Sequence, residues 1–127
     1  MPTWMFVALG SAIGGVARYA VASVFPLLPG RWPIAAMLVN LAGSLLIGLL
    51  SVALGVRSGG PDTLRLFWLT GVLGGFTTYS AFALETTLLV GSGAHLRAFG
   101  YVLVTVLGGF AAALLGRAIG ALVVGEN

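Results

Sequence analysis

Between Gly74 and Phe82 the chain reads GGFTTYSAF, a run of hydroxyls and aromatic rings inside an otherwise aliphatic stretch. Thr77, Thr78 and Ser80 can bond back to main-chain carbonyls. The glycines at 71, 74 and 75 lower helix propensity further. The segment is therefore predicted to be a helix broken near Gly74 to Ser80. In lipid, backbone that leaves the helix persists only where it is buried in protein or lines a cavity. Carbonyls freed there are oxygen ligands suited to a hard cation, and nearby rings present positive edges to an anion. Wherever the segment is helical, Phe76, Tyr79 and Phe82 fall three apart on one face, with Glu85 continuing the stripe.

Few other polar groups lie within the apolar segments: Arg18, Asn40, Ser44 and Thr105. Each costs free energy unless it finds a partner or a water-filled cavity. Asn40 has four hydrogen-bonding positions to satisfy, which suits either an interhelical bond or a pore wall. Arg18 lies within two turns of a loop, so it either snorkels to the interface or holds a structural or anion-attracting position. Glu85 is expected to pair with an arginine as a structural ion pair rather than to transfer protons.

The elements that must position these groups follow from composition. The chain has 127 residues, of which 59% are hydrophobic and 7% charged, and a mean hydropathy of +1.11. A soluble domain carries roughly 25% charged residues, so an integral membrane protein is expected, with the cell membrane as its location. A span needs about 20 apolar residues, and four segments qualify: 4–25, 33–56, 64–90 and 98–124. Between them stand FPLLPGRWP, GVRSGGPD and GSGAHLR, with turn-forming glycine, proline or charge. The expected fold is all-α, one domain of four transmembrane helices over 1–127. The apolar run from Trp4 outlasts a signal peptide and reads as a retained first span.

Six arginines and no lysine stand against three acids, a net charge of +3 too scattered for nucleic acid. With four spans, Arg57, Arg65 and Arg117 fall on one side and Arg18, Arg31 and Arg97 on the other. Such balance gives no preferred orientation. Either the bias is too weak to read by counting, or the chain inserts both ways and assembles as an antiparallel pair. Small residues recur at four-residue spacing, as close helix contact in lipid requires: Gly10 and Gly14 below Arg18, Ser44 and Gly48 after Asn40, and Gly108, Ala112, Gly116 and Gly120 in the fourth span. There is no cysteine, and the one histidine, His95, is placed in a loop. No nucleophile, base and orienter combine, so the chain is not read as an enzyme.

Three motifs together resemble the Fluc (CrcB) fluoride channel family along nearly the whole chain: GSAIGGVARY in the first span, MLVNLAGSLLIG in the second and TGVLGGFTTYSAFALE in the third. The resemblance implies an antiparallel, dual-topology homodimer with the third helix broken. It also implies two fluoride pores, each built from both subunits, and a structural sodium ion at the dimer interface. By position, the sodium ligands would be the backbone carbonyls of Gly74 and Thr77 from both chains. Tyr79 and Phe82 would be the paired pore rings and Asn40 the pore asparagine, with Ser80 in the polar track beside them. Arg18 and Glu85 would be the family arginine and glutamate; Ser44 and Thr105 are assigned to the fluoride pore. Tyr79 replaces a usual phenylalanine, Ala81 a common threonine and Gly109 a frequent serine, with Thr105 one turn away from the last.

The leading reading is a passive channel that lets cytoplasmic fluoride leave. Alternatives are one subunit of a heteromeric fluoride channel, a non-transporting membrane scaffold, or a small multidrug-type proton-coupled exporter. The last needs a glutamate in the first span, and no acid occurs before Asp62.

Overall fold

The computed structural model describes residues 1–55 and 62–125. Among these every regular element is a helix. Helix α1 spans Thr3–Val24 and α2 spans Ile34–Ala53. The third segment is built in pieces: α3 (Asp62–Arg65), the π-helical α4 (Leu66–Leu73), a single turn α5 (Gly74–Phe76) and α6 (Tyr79–Gly91). Helix α7 runs over His95–Val124. At 1.5 Å per residue its 30 residues reach about 45 Å, enough to cross a bilayer. Helices α1, α2 and α7 are each long and apolar enough to span a membrane. The loop containing Arg57, and the end of the second expected span at Val56, lie outside the described residues. His95 does not sit in a loop as expected; it opens α7, three residues before the expected boundary.

Two seams organise the bundle: α1 lies against α4 and α5, and α2 lies along α7. Both are built on absent side chains. A Cβ on Gly14 would stand 2.0 Å from the Val72 carbonyl, and one on Gly75 would stand 2.5 Å from that of Ser11. Along α2 and α7, a Cβ on Gly48 would meet the Ala113 carbonyl at 2.1 Å and one on Gly116 the Leu45 carbonyl at 2.0 Å. Backbones this close gain van der Waals packing that larger residues would forbid in lipid, where no hydrophobic force draws helices together.

The glycines of the third segment therefore do a different job from the one expected of them. Gly71 and Gly75 face α1 and stay helical, and Gly74 has ordinary helical angles (φ −63, ψ −37). The break is confined to Thr77 and Thr78, whose ψ angles of 159° and 122° are extended. The π-helical turns of α4 come just before it. Such i→i+5 geometry is rare and often adjoins functional sites.

A small buried cluster ties α2, α6 and α7 together: Ala36, Leu89, Ala98 and the fully buried Tyr101, with Phe82 packed against them. Most other large apolar side chains are exposed on the protomer, as expected of a surface that meets lipid or another copy.

Candidate site at the helix break

Ending a helix at Phe76 strands its last carbonyls, which in lipid have no water to turn to. Thr77 answers locally: its N–H and its Oγ1 both donate to the Leu73 carbonyl at 2.9 Å. Arg18 answers from α1, its Nε donating to the Gly75 carbonyl at 3.1 Å. Arg18 thus reaches inward to the cut end of a helix, where a cation is favoured by the dipole.

On the other side of the break, Thr78 caps α6: its Oγ1 accepts from the Ala81 N–H at 3.2 Å and lies 3.4 Å from Ser80 Oγ. Asn40 holds the main chain of the same residue from both sides. Its Oδ1 accepts from the Thr78 N–H at 2.9 Å, and its Nδ2 donates to the Thr78 carbonyl at 3.1 Å. The interhelical reading of Asn40 is therefore a fact of the structure. The clamp occupies one donor and one acceptor site, leaving one N–H and one lone pair.

This clamp has a consequence for the carbonyls. In a continuous helix the Thr78 N–H would donate to Gly74, four residues back. Because Asn40 takes it, the Gly74 carbonyl loses its helical donor, and among the described residues no donor reaches the Thr77 carbonyl. Two neutral oxygens are left open in the chain, a donor set that suits a hard cation. Among the described residues no cluster of three His, Cys, Asp or Glu offers a competing metal site.

Beside the break lies a cavity of about 380 Å³ lined by Asn40, Ser44, Gly74, Thr77, Thr78, Tyr79, Phe82 and Thr105. Tyr79 and Phe82 sit one turn apart with ring centroids 5.9 Å from each other. The two rings differ sharply in exposure: Phe82 is half-buried with its ring 5.2 Å from Tyr101, whereas Tyr79 is 81% exposed. Thr105 Oγ1 is buried with no hydrogen-bond partner among the described residues. Gly109, one turn along, leaves room: a Cβ there would lie 3.4 Å from Ser44 Oγ.

Of the ten residues singled out in the sequence, Arg18, Ser80 and Glu85 do not line this cavity. Seven do: Asn40, Ser44, Gly74, Thr77, Tyr79, Phe82 and Thr105. Ser80 is exposed beside Thr78. Arg18 and Glu85 share a second, smaller cavity of about 80 Å³ with Thr78, Ala22 and Val39.

Among the described residues Glu85 does not pair with an arginine. Its Oε2 accepts from the Tyr101 hydroxyl at 2.6 Å, a neutral donor brought across from α7. Tyr101 went unnoticed in the sequence because a search for charge partners passes over hydroxyls. Its one available signal was its place in an apolar span, where a tyrosine hydroxyl needs a partner.

The fold and site define a class: a multi-pass, all-helical membrane protein with an interrupted third segment and a polar cavity at the interruption. The chain matches the family model for CrcB-like protein, Camphor Resistance (CrcB), over residues 5–117. It is 44% identical over 115 residues to the fluoride-specific ion channel FluC of Methylobacterium sp. (strain 4-46), covering 91% of this chain and 93% of that protein. It is 45% identical over 118 residues to FluC of Paracoccus denitrificans (93% and 94% covered) and 46% identical over 118 residues to FluC of Hyphomonas neptunium (91% and 93%). The chain belongs to the CrcB-like family and is a multi-pass protein of the cell membrane.

Proposed function

We propose that this chain is the subunit of a passive, fluoride-selective channel. Two copies, each a single domain of four spans, assemble antiparallel with two pores and a central structural sodium ion. Relatives named as fluoride-specific channels match nearly end to end. The observation that carries the reading is the cavity at the break, where hydrogen-bond donors and aromatic edges meet. Fluoride is small and strongly hydrated, so a pore must replace its water with donors. Asn40 retains one N–H beyond its clamp, and the hydroxyl of Thr105 has no other partner. The ring edges of Tyr79 and Phe82 add positive potential, and low-dielectric walls strengthen each contact.

The ring of Tyr79 lines the cavity yet is left largely exposed, which supports a second copy that would cover it. Two copies would bring the Gly74 and Thr77 carbonyls to four. When bound, sodium would supply positive charge to these unpaired oxygens. Fluoride enters cells as the neutral weak acid and is trapped as the anion, so a channel suffices for export when the membrane is negative inside.

Liposomes holding purified protein test this against a proton-coupled exporter. Fluoride efflux should follow the fluoride gradient and the voltage, unchanged when the pH gradient is abolished. Efflux that stops with the pH gradient would favour the exporter.

A further inference from the structure

We propose that Arg18 restricts the carbonyl site at the break to monovalent cations. The inference rests on the reading that Gly74 and Thr77 hold a cation, and it concerns which cation. The Arg18 guanidinium is hydrogen-bonded to the Gly75 carbonyl, one peptide from Gly74. It forms no ion pair with a carboxylate among the described residues. Glu85 is the acid that shares its small cavity, and one Glu85 oxygen is taken by the Tyr101 hydroxyl. A full positive charge therefore sits at the cut helix end, on the carbonyl of the residue next to Gly74.

Two physical effects then favour a singly charged ion. Sites for calcium and magnesium bring carboxylates to offset the ion's charge, and the oxygens open here are neutral amide carbonyls. Repulsion from the guanidinium scales with the charge of the ion, so a divalent cation meets twice the repulsion that sodium does. The dependence is quantitative. If removing the guanidinium charge strengthens sodium binding by some factor, calcium binding should strengthen by about the square of that factor. Neither effect depends on a particular oligomer, although in a dimer both arginines would act.

Thermal unfolding of the detergent-solubilised protein reads this without transport. Sodium, calcium or magnesium chloride is titrated against N-methylglucamine chloride at fixed ionic strength, since a ligand of the folded state raises Tm. Wild type should gain a few degrees with sodium and none with calcium or magnesium. Arg18→Gln should gain with calcium, its calcium affinity rising over wild type by more than its sodium affinity does, and Arg18→Lys should keep the wild-type pattern. An Arg18→Gln protein that responds to sodium and ignores calcium would overturn the proposal. So would calcium stabilising the wild type as well as sodium does, a result available even if Arg18→Gln cannot be recovered. A wild type indifferent to sodium would instead remove the cation reading beneath it.

Discussion

Replacing Asn40 by alanine tests the clamp. The substitution removes the acceptor of the Thr78 N–H and the donor to the Thr78 carbonyl together. The N–H has another acceptor close by, the Gly74 carbonyl, so the released chain can close toward a continuous helix. Two hydrogen bonds between membrane segments are worth about 1.2 kcal/mol at the measured average and about 3.4 kcal/mol at the upper end. At about 1.4 kcal/mol per factor of ten, the balance between clamped break and re-formed helix shifts roughly 7- to 270-fold. Two assays should move together: fluoride efflux from liposomes should fall, and the sodium-dependent gain in Tm should shrink because Gly74 is no longer open. Asn40→Asp is a weaker probe of the pore than its charge suggests, since it also loses the donor to Thr78. Wild-type efflux together with a wild-type sodium response in Asn40→Ala would refute the reasoning.

Other substitutions probe the remaining contacts. Thr105→Val removes a buried hydroxyl that has no partner; thermal stability should hold or rise, because an unpaired polar group is lost, while fluoride efflux falls. Tyr101→Phe keeps the ring against Phe82 but leaves Glu85 without its donor, and unfolding should show a loss of about 1–3 kcal/mol. Gly116→Ala forces a methyl against the Leu45 carbonyl and should cost about 1–3 kcal/mol or more as α2 and α7 separate. Gly15→Ala, with nothing within 4 Å of the added carbon, should be neutral or slightly stabilising in the same assay.

Much of this organisation can be read from residue types alone. Hydropathy locates the spans because lipid demands about 20 apolar residues in a row. The small residues of the first, second and fourth spans announce close seams, and Gly14, Gly48 and Gly116 are where backbones meet. The hydroxyls of the third segment announce its break, but the glycines beside them point too early. Gly71 and Gly75 are small because α1 presses on them, a tertiary reason that looks identical to low helix propensity. The π-helical stretch from Leu66 to Leu73 leaves no residue pattern, since an i→i+5 ladder uses only main-chain groups. Asn40 signals a need for partners without naming them; its partners are the backbone of a residue 38 positions away. Glu85 misleads for a related reason. A carboxylate suggests an arginine, and only the packing of α6 on α7 brings the Tyr101 hydroxyl to it instead.

The most direct test of the account is anion efflux from liposomes containing this protein expressed alone, followed with fluoride and chloride electrodes in parallel. A cavity of donors and ring edges fitted to fluoride predicts rapid fluoride release with chloride retained. Equal release of both anions, or of neither, would contradict it.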